Sequence, residues 1–183
     1  MKWKYNIESN SEEAVIEVFR SFQRLKALYR QGWLQRNVPE NKTESVADHS
    51  FGTAILAILL CPTELDKLKV LEIALLHETG ESIIGDLTPW HKVSDEEKSR
   101  IELAAVKEIL GKLPDGKRLI GLWQEFEYET TPEGKFVRQL DKLEMGLQAE
   151  VFAKFGDNNA IALLDSARQK VTDEELRKYL QEI

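Results

Sequence analysis

Residues 74–89 read ALLHETGESIIGDLTP, and the fold turns on how this stretch is read. Val70, Ile73, Ala74, His77, Glu81 and Ile84 recur at three- and four-residue intervals, the spacing of one face of an α-helix. The pattern predicts a helix capped by Asp66 and running to about Ile84, with a loop over Gly85–Val93 long enough to line a site. Two ionisable groups, His77 and Glu81, fall on the stripe that should be buried, and Glu78 adjoins them. An unpaired charge in a core costs on the order of several kcal/mol, a large share of a domain's net stability. These groups need partners, and a metal ion is the leading candidate.

Working outward from this stretch, helix signals recur and strand alternation does not. Asn10-Ser11-Glu12-Glu13 opens a helix to about Tyr29, with Ala14, Val15, Val18, Phe22, Leu25 and Leu28 facing inward. Gln31–Thr43 reads as a loop broken by Gly32, Pro39 and Asn41. Ser45-Val46-Ala47-Asp48 resembles a capping box and starts a helix to about Leu60, ended by Pro62. Ser94-Asp95-Glu96-Glu97 starts another, stopped near Gly111, and Pro114–Glu127 a further one. Thr131-Pro132-Glu133 begins a long helix to about Phe155. Asn158–Lys170 and Thr172–Gln181, the latter with a box at Thr172 and Glu175, complete an all-α domain of about seven or eight helices.

The chain has 183 residues, 42% of them hydrophobic, enough for one core over 1–183 and not for two. A net charge of −7 argues against nucleic acid as a partner, which would need a basic surface. The lone cysteine, Cys61, excludes an intrachain disulfide and suits a reducing, cytoplasmic setting. No signal peptide is legible at the start, and the apolar run Ala54–Pro62 is too short to span a bilayer, so no membrane role is expected.

Of the three histidines, His49 and His77 lie on apolar helices, and His91 lies in a loop. Asp141 sits between Val137 and Met145 at four-residue spacing on a helix that is apolar around much of its girth. His49, His77, Glu78 and Asp141 are thus four potential ligands on three helices. Two imidazoles with two carboxylates suit one divalent ion such as Mn, Fe, Co or Zn, with Mg also a candidate. Taken singly, each residue could equally be a hydrogen-bonded core histidine or a salt-bridged carboxylate. No Ser-His-Asp arrangement and no glycine-rich phosphate loop is present.

Taken together, a His, a central His-acid pair and a late Asp resemble the HD-domain metal-dependent phosphohydrolases. Gly32-Trp33 with Arg36-Asn37-Val38, Glu44 through Ser50, His77 with Glu81 and Gly85-Asp86, Trp123 through Glu127, and Leu140 through Met145 resemble the 5′-deoxynucleotidase (HD-domain-containing protein 2) branch. The likeness spans about Phe22 to Phe155. One departure is clear: the family pair is His-Asp, and here it is His77-Glu78. The added methylene moves the carboxylate by about 1.5 Å, which backbone or rotamer must absorb.

The resemblance implies an HD-domain bundle that hydrolyses deoxynucleoside 5′-monophosphates to deoxynucleosides and phosphate, and a homodimer. Leu119, Leu122 and Trp123 are candidates for the dimer surface. Glu81, on the face of His77 and Glu78, would orient or deprotonate the attacking water, and Asp86 would accept a hydrogen bond from the sugar hydroxyl. Trp33 would close against the sugar; otherwise it is an aromatic packed on the core. Arg30 or Arg36 would meet the phosphate, with Arg30 favoured. Leu87, Thr88 and Pro89 would line the nucleotide pocket, and Lys92 and Lys142 are possible extra cations. Two rival readings remain: hydrolysis of nucleoside di- or triphosphates, and a non-catalytic nucleotide-binding module.

Overall fold

A computed structural model describes residues 13–181. Within them lie ten α-helices: α1 (Ala14–Leu25), α2 (Gln31–Leu34), α3 (Val46–Leu60), α4 (Lys67–Leu76), α5 (Glu81–Ile84), α6 (Asp95–Leu110), α7 (Gly116–Glu127), α8 (Pro132–Lys154), α9 (Ile161–Lys170) and α10 (Glu174–Gln181). Two of these, α2 and α5, are single turns, and 3₁₀ turns span Pro89–His91 and Asn158–Ala160. The all-α class holds. The proposed start of the first helix at Asn10–Glu12 lies outside the described residues.

Local capping sets the helix starts. Ser45 accepts from the Asp48 amide while Asp48 accepts from the Ser45 amide, closing the box that opens α3. Asp66 caps α4, Ser94 caps α6 and Thr131 caps α8. At α10 the expected box does not form. Asp173 accepts from the Leu176 amide, and Thr172 instead donates its amide to Gln139.

Helix α8, 23 residues long, is the central rod, with α3, α4, α7, α9 and α10 packed around it. Its Val137, Leu140 and Leu143 are fully buried and meet Val70, Ile73 and Ala74 of α4 in the main core. A second core joins α1, α6 and α7 through Val18, Val106, Ile109, Leu110 and Trp123. Two expectations fail here. Leu122 and Trp123 are 5% and 1% exposed, so they belong to the cores and cannot form a dimer surface; Leu119 packs partly buried against both. Val15 faces solvent rather than the interior. The exposed apolar residues instead include Phe51, Ile55, Ile58 and Leu59 of α3. No helix among the described residues is long and apolar enough to cross a membrane.

Two features bring distant segments to the site. An antiparallel bridge pairs Tyr29 with Ser45, and the Arg30 amide donates to the Glu44 carbonyl at 3.1 Å, laying Arg30 beside the start of α3. The helix expected to continue to Ile84 ends at Leu76. Thr79 Oγ1 donates back to the Leu76 carbonyl at 2.6 Å, and the chain turns through His77–Gly80 before the single turn α5. Gly85, at φ 83°, then reverses the chain into Asp86, a conformation that favours glycine.

Candidate functional site

His49, in the first turn of α3, is completely buried. Its Nε2 lies 3.3 Å from His77 Nε2, 3.3 Å from Asp141 Oδ1 and 3.6 Å from Glu78 Oε1. Glu78 Oε1 is also 3.5 Å from His77 Nε2. The four residues expected to be ligands therefore do come together, from α3, the turn after α4, and α8. His77 and Glu78 arrive from the end of α4 rather than its middle: the His77 amide still donates to the Ile73 carbonyl at 2.9 Å, and the chain leaves the helix just beyond it.

The ring orientations fit a cation. His77 Nδ1 lies 2.8 Å from the Ala74 carbonyl, which can only accept, so Nδ1 carries a proton and Nε2 is the atom that faces His49. His49 Nδ1 lies 2.5 Å from Glu144 Oε2, which likewise leaves Nε2 to face inward. His49, His77 and Glu78 thus bring one ligand atom each into one small space, with Asp141 Oδ1 adjoining it through His49 Nε2, a donor set suited to a divalent transition ion. Without an ion, a proton takes that place: burial and Arg30 lower the His49 pKa, but Glu144 and Asp141 overcome them and lift it to about 10. Burial works against ionised carboxylates at Glu78 and Asp141. His77 and Arg30 nevertheless hold Glu78 well below the usual range, and Lys142 and His49 do the same for Asp141.

Beside these groups opens a cavity of about 410 Å³. Arg30, Glu81, Asp86, Lys98, Glu102, Arg138 and Lys142 line it along with His77, Glu78 and Asp141. Arg30 Nη1 donates to Glu78 Oε1 at 3.1 Å. Glu81 is buried, and its Oε2 has no partner among the described residues. Burial, then Glu78 and Asp86, push its pKa well above the ordinary carboxylate value. Asp86 Oδ2 accepts from the Gln31 amide at 2.6 Å, tying the start of α2 to the site.

A second cavity, about 280 Å³, adjoins the first through Arg30, Asp86 and Lys142. Trp33, Arg36, Leu87, Thr88 and Pro89 line it, together with Trp90 and Lys170. Trp33 is 1% exposed, its ring edge-on to Phe152, so it is a fixed wall as well as a core residue. Arg36 donates to the Gly32 carbonyl and does not reach the first cavity. Lys92 lines neither cavity, whereas Lys142 lines both and binds Asp141 Oδ2 at 2.8 Å. Glu44, Glu102, Lys98, Arg138 and Glu144 went without roles in the sequence analysis. Only Glu144 carried a usable signal, standing three residues, hence one helical turn, after Asp141.

An imidazole pair facing two carboxylates inside a helical bundle, beside a cavity where Arg30, Lys98, Arg138 and Lys142 stand among a larger number of acids, defines a helical domain with a candidate metal site. The chain belongs to the HD domain family, whose pattern it matches over residues 22–183. It is 39% identical to the 5′-deoxynucleotidase HDDC2 of Mus musculus over 146 residues, 79% of this chain and 72% of that one. The PH0347 protein of Pyrococcus horikoshii superposes with a TM-score of 0.76 at 32% identity, covering 91% of this chain and 94% of the other. A structure described as a predicted metal-dependent phosphohydrolase, from Magnetospirillum magnetotacticum, gives 0.72 at 25% identity, covering 92% and 88%.

Proposed function

We propose that this chain is a metal-dependent 5′-deoxynucleotidase, cleaving deoxynucleoside 5′-monophosphates to deoxynucleoside and phosphate. The observation that carries the reading is the convergence of His49 Nε2, His77 Nε2, Glu78 Oε1 and Asp141 Oδ1 next to the Arg30-bearing cavity. The kinship with 5′-deoxynucleotidases supports the substrate class. His49, His77, Glu78 and Asp141 would hold one divalent ion, which when bound acts as a Lewis acid toward the phosphate and acidifies water.

The remaining work belongs to the side chains. Arg30 pairs with phosphate oxygens and offsets the acidic field of the chain. Glu81, expected from sequence to orient or deprotonate the attacking water, is instead buried beside Glu78 and Asp86, which favour its protonated form. We therefore assign its proton to the leaving 5′-oxygen. The water oxygen forms the new P–O bond as the P–O5′ bond breaks, O5′ takes the Glu81 proton, and the proton released by the water restores Glu81. Asp86, fixed by the Gln31 amide, offers its other oxygen to the sugar hydroxyl. Trp33, with Leu87, Thr88 and Pro89, walls the nucleoside side.

A screen of purified protein against ribo- and deoxynucleoside monophosphates with each common divalent ion tests the reading. The expected outcome is phosphate release from the deoxy series, abolished by a chelator. Release of pyrophosphate or triphosphate from longer nucleotides, without monophosphate turnover, would assign the chain to the rival hydrolase class. Nucleotide binding without turnover under every ion would leave a binding module.

A further inference from the structure

We propose that Glu144 is the positioning residue for His49, and that Gly52 is there to let it reach the ring. The inference rests on the metal-centre reading above but assigns work to residues outside the ligand set.

Helix α8 holds both edges of one imidazole. Asp141 Oδ1 lies 3.3 Å from His49 Nε2, and Glu144 Oε2 lies 2.5 Å from His49 Nδ1. Positions three apart share a helix face, so one rigid element sets both distances. A ring gripped only at Nε2 could still rotate about χ2, a broad torsion in histidine. A carboxylate on Nδ1 removes that freedom and aims Nε2 at the ligand space. Glu144 is itself buried.

Gly52 supplies the independent observation. It lies three residues after His49 on α3. A Cβ there would sit 2.6 Å from Glu144 Oε1, 3.0 Å from its Cγ and 3.1 Å from its Cδ. Glycine inside a helix costs about 1 kcal/mol relative to alanine. Its presence in the middle of α3 is explained by the space that the Glu144 side chain occupies. Glu44 completes the surroundings: its carboxylate, the His49 ring and the Glu144 carboxylate lie within 4.8 Å of one another, and Glu44 Oε1 accepts from Trp33 Nε1 at 2.8 Å. That trio could be taken for a second ion site. The 2.5 Å contact between Nδ1 and Glu144 instead fits a hydrogen bond with no ion between them.

The test is Mn²⁺ affinity by chelator competition, with stoichiometry, on wild type, Glu144→Ala, Glu144→Gln, Gly52→Ala and the Glu144→Ala/Gly52→Ala double variant. Glu144→Ala should lower affinity about 10- to 100-fold, and Glu144→Gln, which keeps an acceptor, should restore most of it. Gly52→Ala should weaken binding although every ligand remains. In the Glu144→Ala background it should cost nothing more, because there is no side chain left to displace. Folded Glu144→Ala with affinity within twofold of wild type, strictly additive effects, or two ions bound per chain would each overturn the proposal. Proton NMR of the metal-free protein keeps the question separate from the proposed activity. A far-downfield His49 Nδ1–H signal, lost in Glu144→Ala, is expected even if wild type takes up no ion and the enzymatic reading falls. Its absence from wild type would overturn the brace.

Discussion

Arg30 and Glu78 share an oxygen with the metal centre: Arg30 Nη1 donates at 3.1 Å to the same Oε1 that faces His77 at 3.5 Å and His49 at 3.6 Å. In the proposed mechanism, phosphate recognition and ion binding are therefore joined at one atom. The family's shorter aspartate would fall about 1.5 Å short of one of these partners. Glu78→Asp should keep an ion, since the turn at His77–Gly80 can adjust, but should release Arg30. The expected readout is Mn²⁺ affinity within about tenfold of wild type and a raised KM for deoxynucleoside monophosphates. Loss of the ion with an unchanged KM in reconstituted enzyme would contradict this link.

Glu81→Gln removes a proton donor while keeping the side chain's size. Its ion content should match wild type, and kcat should fall by about 10²- to 10⁴-fold. Full turnover in the variant would remove Glu81 from the chemistry.

The two arginines should separate cleanly. Arg30 lines both cavities, whereas Arg36 lines only the second and donates to the Gly32 carbonyl. Arg30→Ala should cut kcat/KM about 10- to 100-fold, the equivalent of one charge-assisted hydrogen bond, with a smaller loss for Arg36→Ala. The reverse ranking would move the phosphate into the second cavity.

Stability should fall as pH rises past Glu102. Burial raises its pKa, Lys98 opposes and Glu78 adds, leaving it at about 7 against an ordinary 4.5. Between those values folded Glu102 binds more proton than it does in the unfolded chain, so its contribution to the unfolding free energy decreases with pH and levels off above about 7. Urea midpoints of the metal-free protein at about pH 5 and pH 8 should differ more in wild type than in Glu102→Gln.

Trp123 secures the turn that carries two of the proposed ligands. Its Nε1 donates to the His77 carbonyl at 3.0 Å from within the second core. Trp123→Phe leaves that carbonyl unpaired, with an expected loss of about 1–3 kcal/mol in urea unfolding and a weaker grip on Mn²⁺. Unchanged ion affinity would show that His77 is placed without this bond.

Much of the fold was legible because its signals are local. Ser45, Asp66, Ser94 and Thr131 cap the helices that their sequence contexts announced. The break after Leu76 was not legible: ALLHETGESII keeps a helical period, and its interruption depends on Thr79 and His77 turning back on the Leu76 and Ala74 carbonyls. Likewise, one apolar stripe on α7 cannot reveal that α1 and α6 cover Trp123. The proposed ligand quartet was legible because buried imidazoles and acids are costly and need partners. The one-turn spacing that points to Glu144 is ambiguous by itself, because a carboxylate one turn from another usually marks a wet helix face.

The double grip of α8 on His49 also acts as a registration pin. A slip of the central rod by a single residue, about 1.5 Å along its axis, would pull Asp141 and Glu144 off opposite edges of the ring together. The bundle thus checks the alignment of its longest helix at the point where its chemistry is assembled.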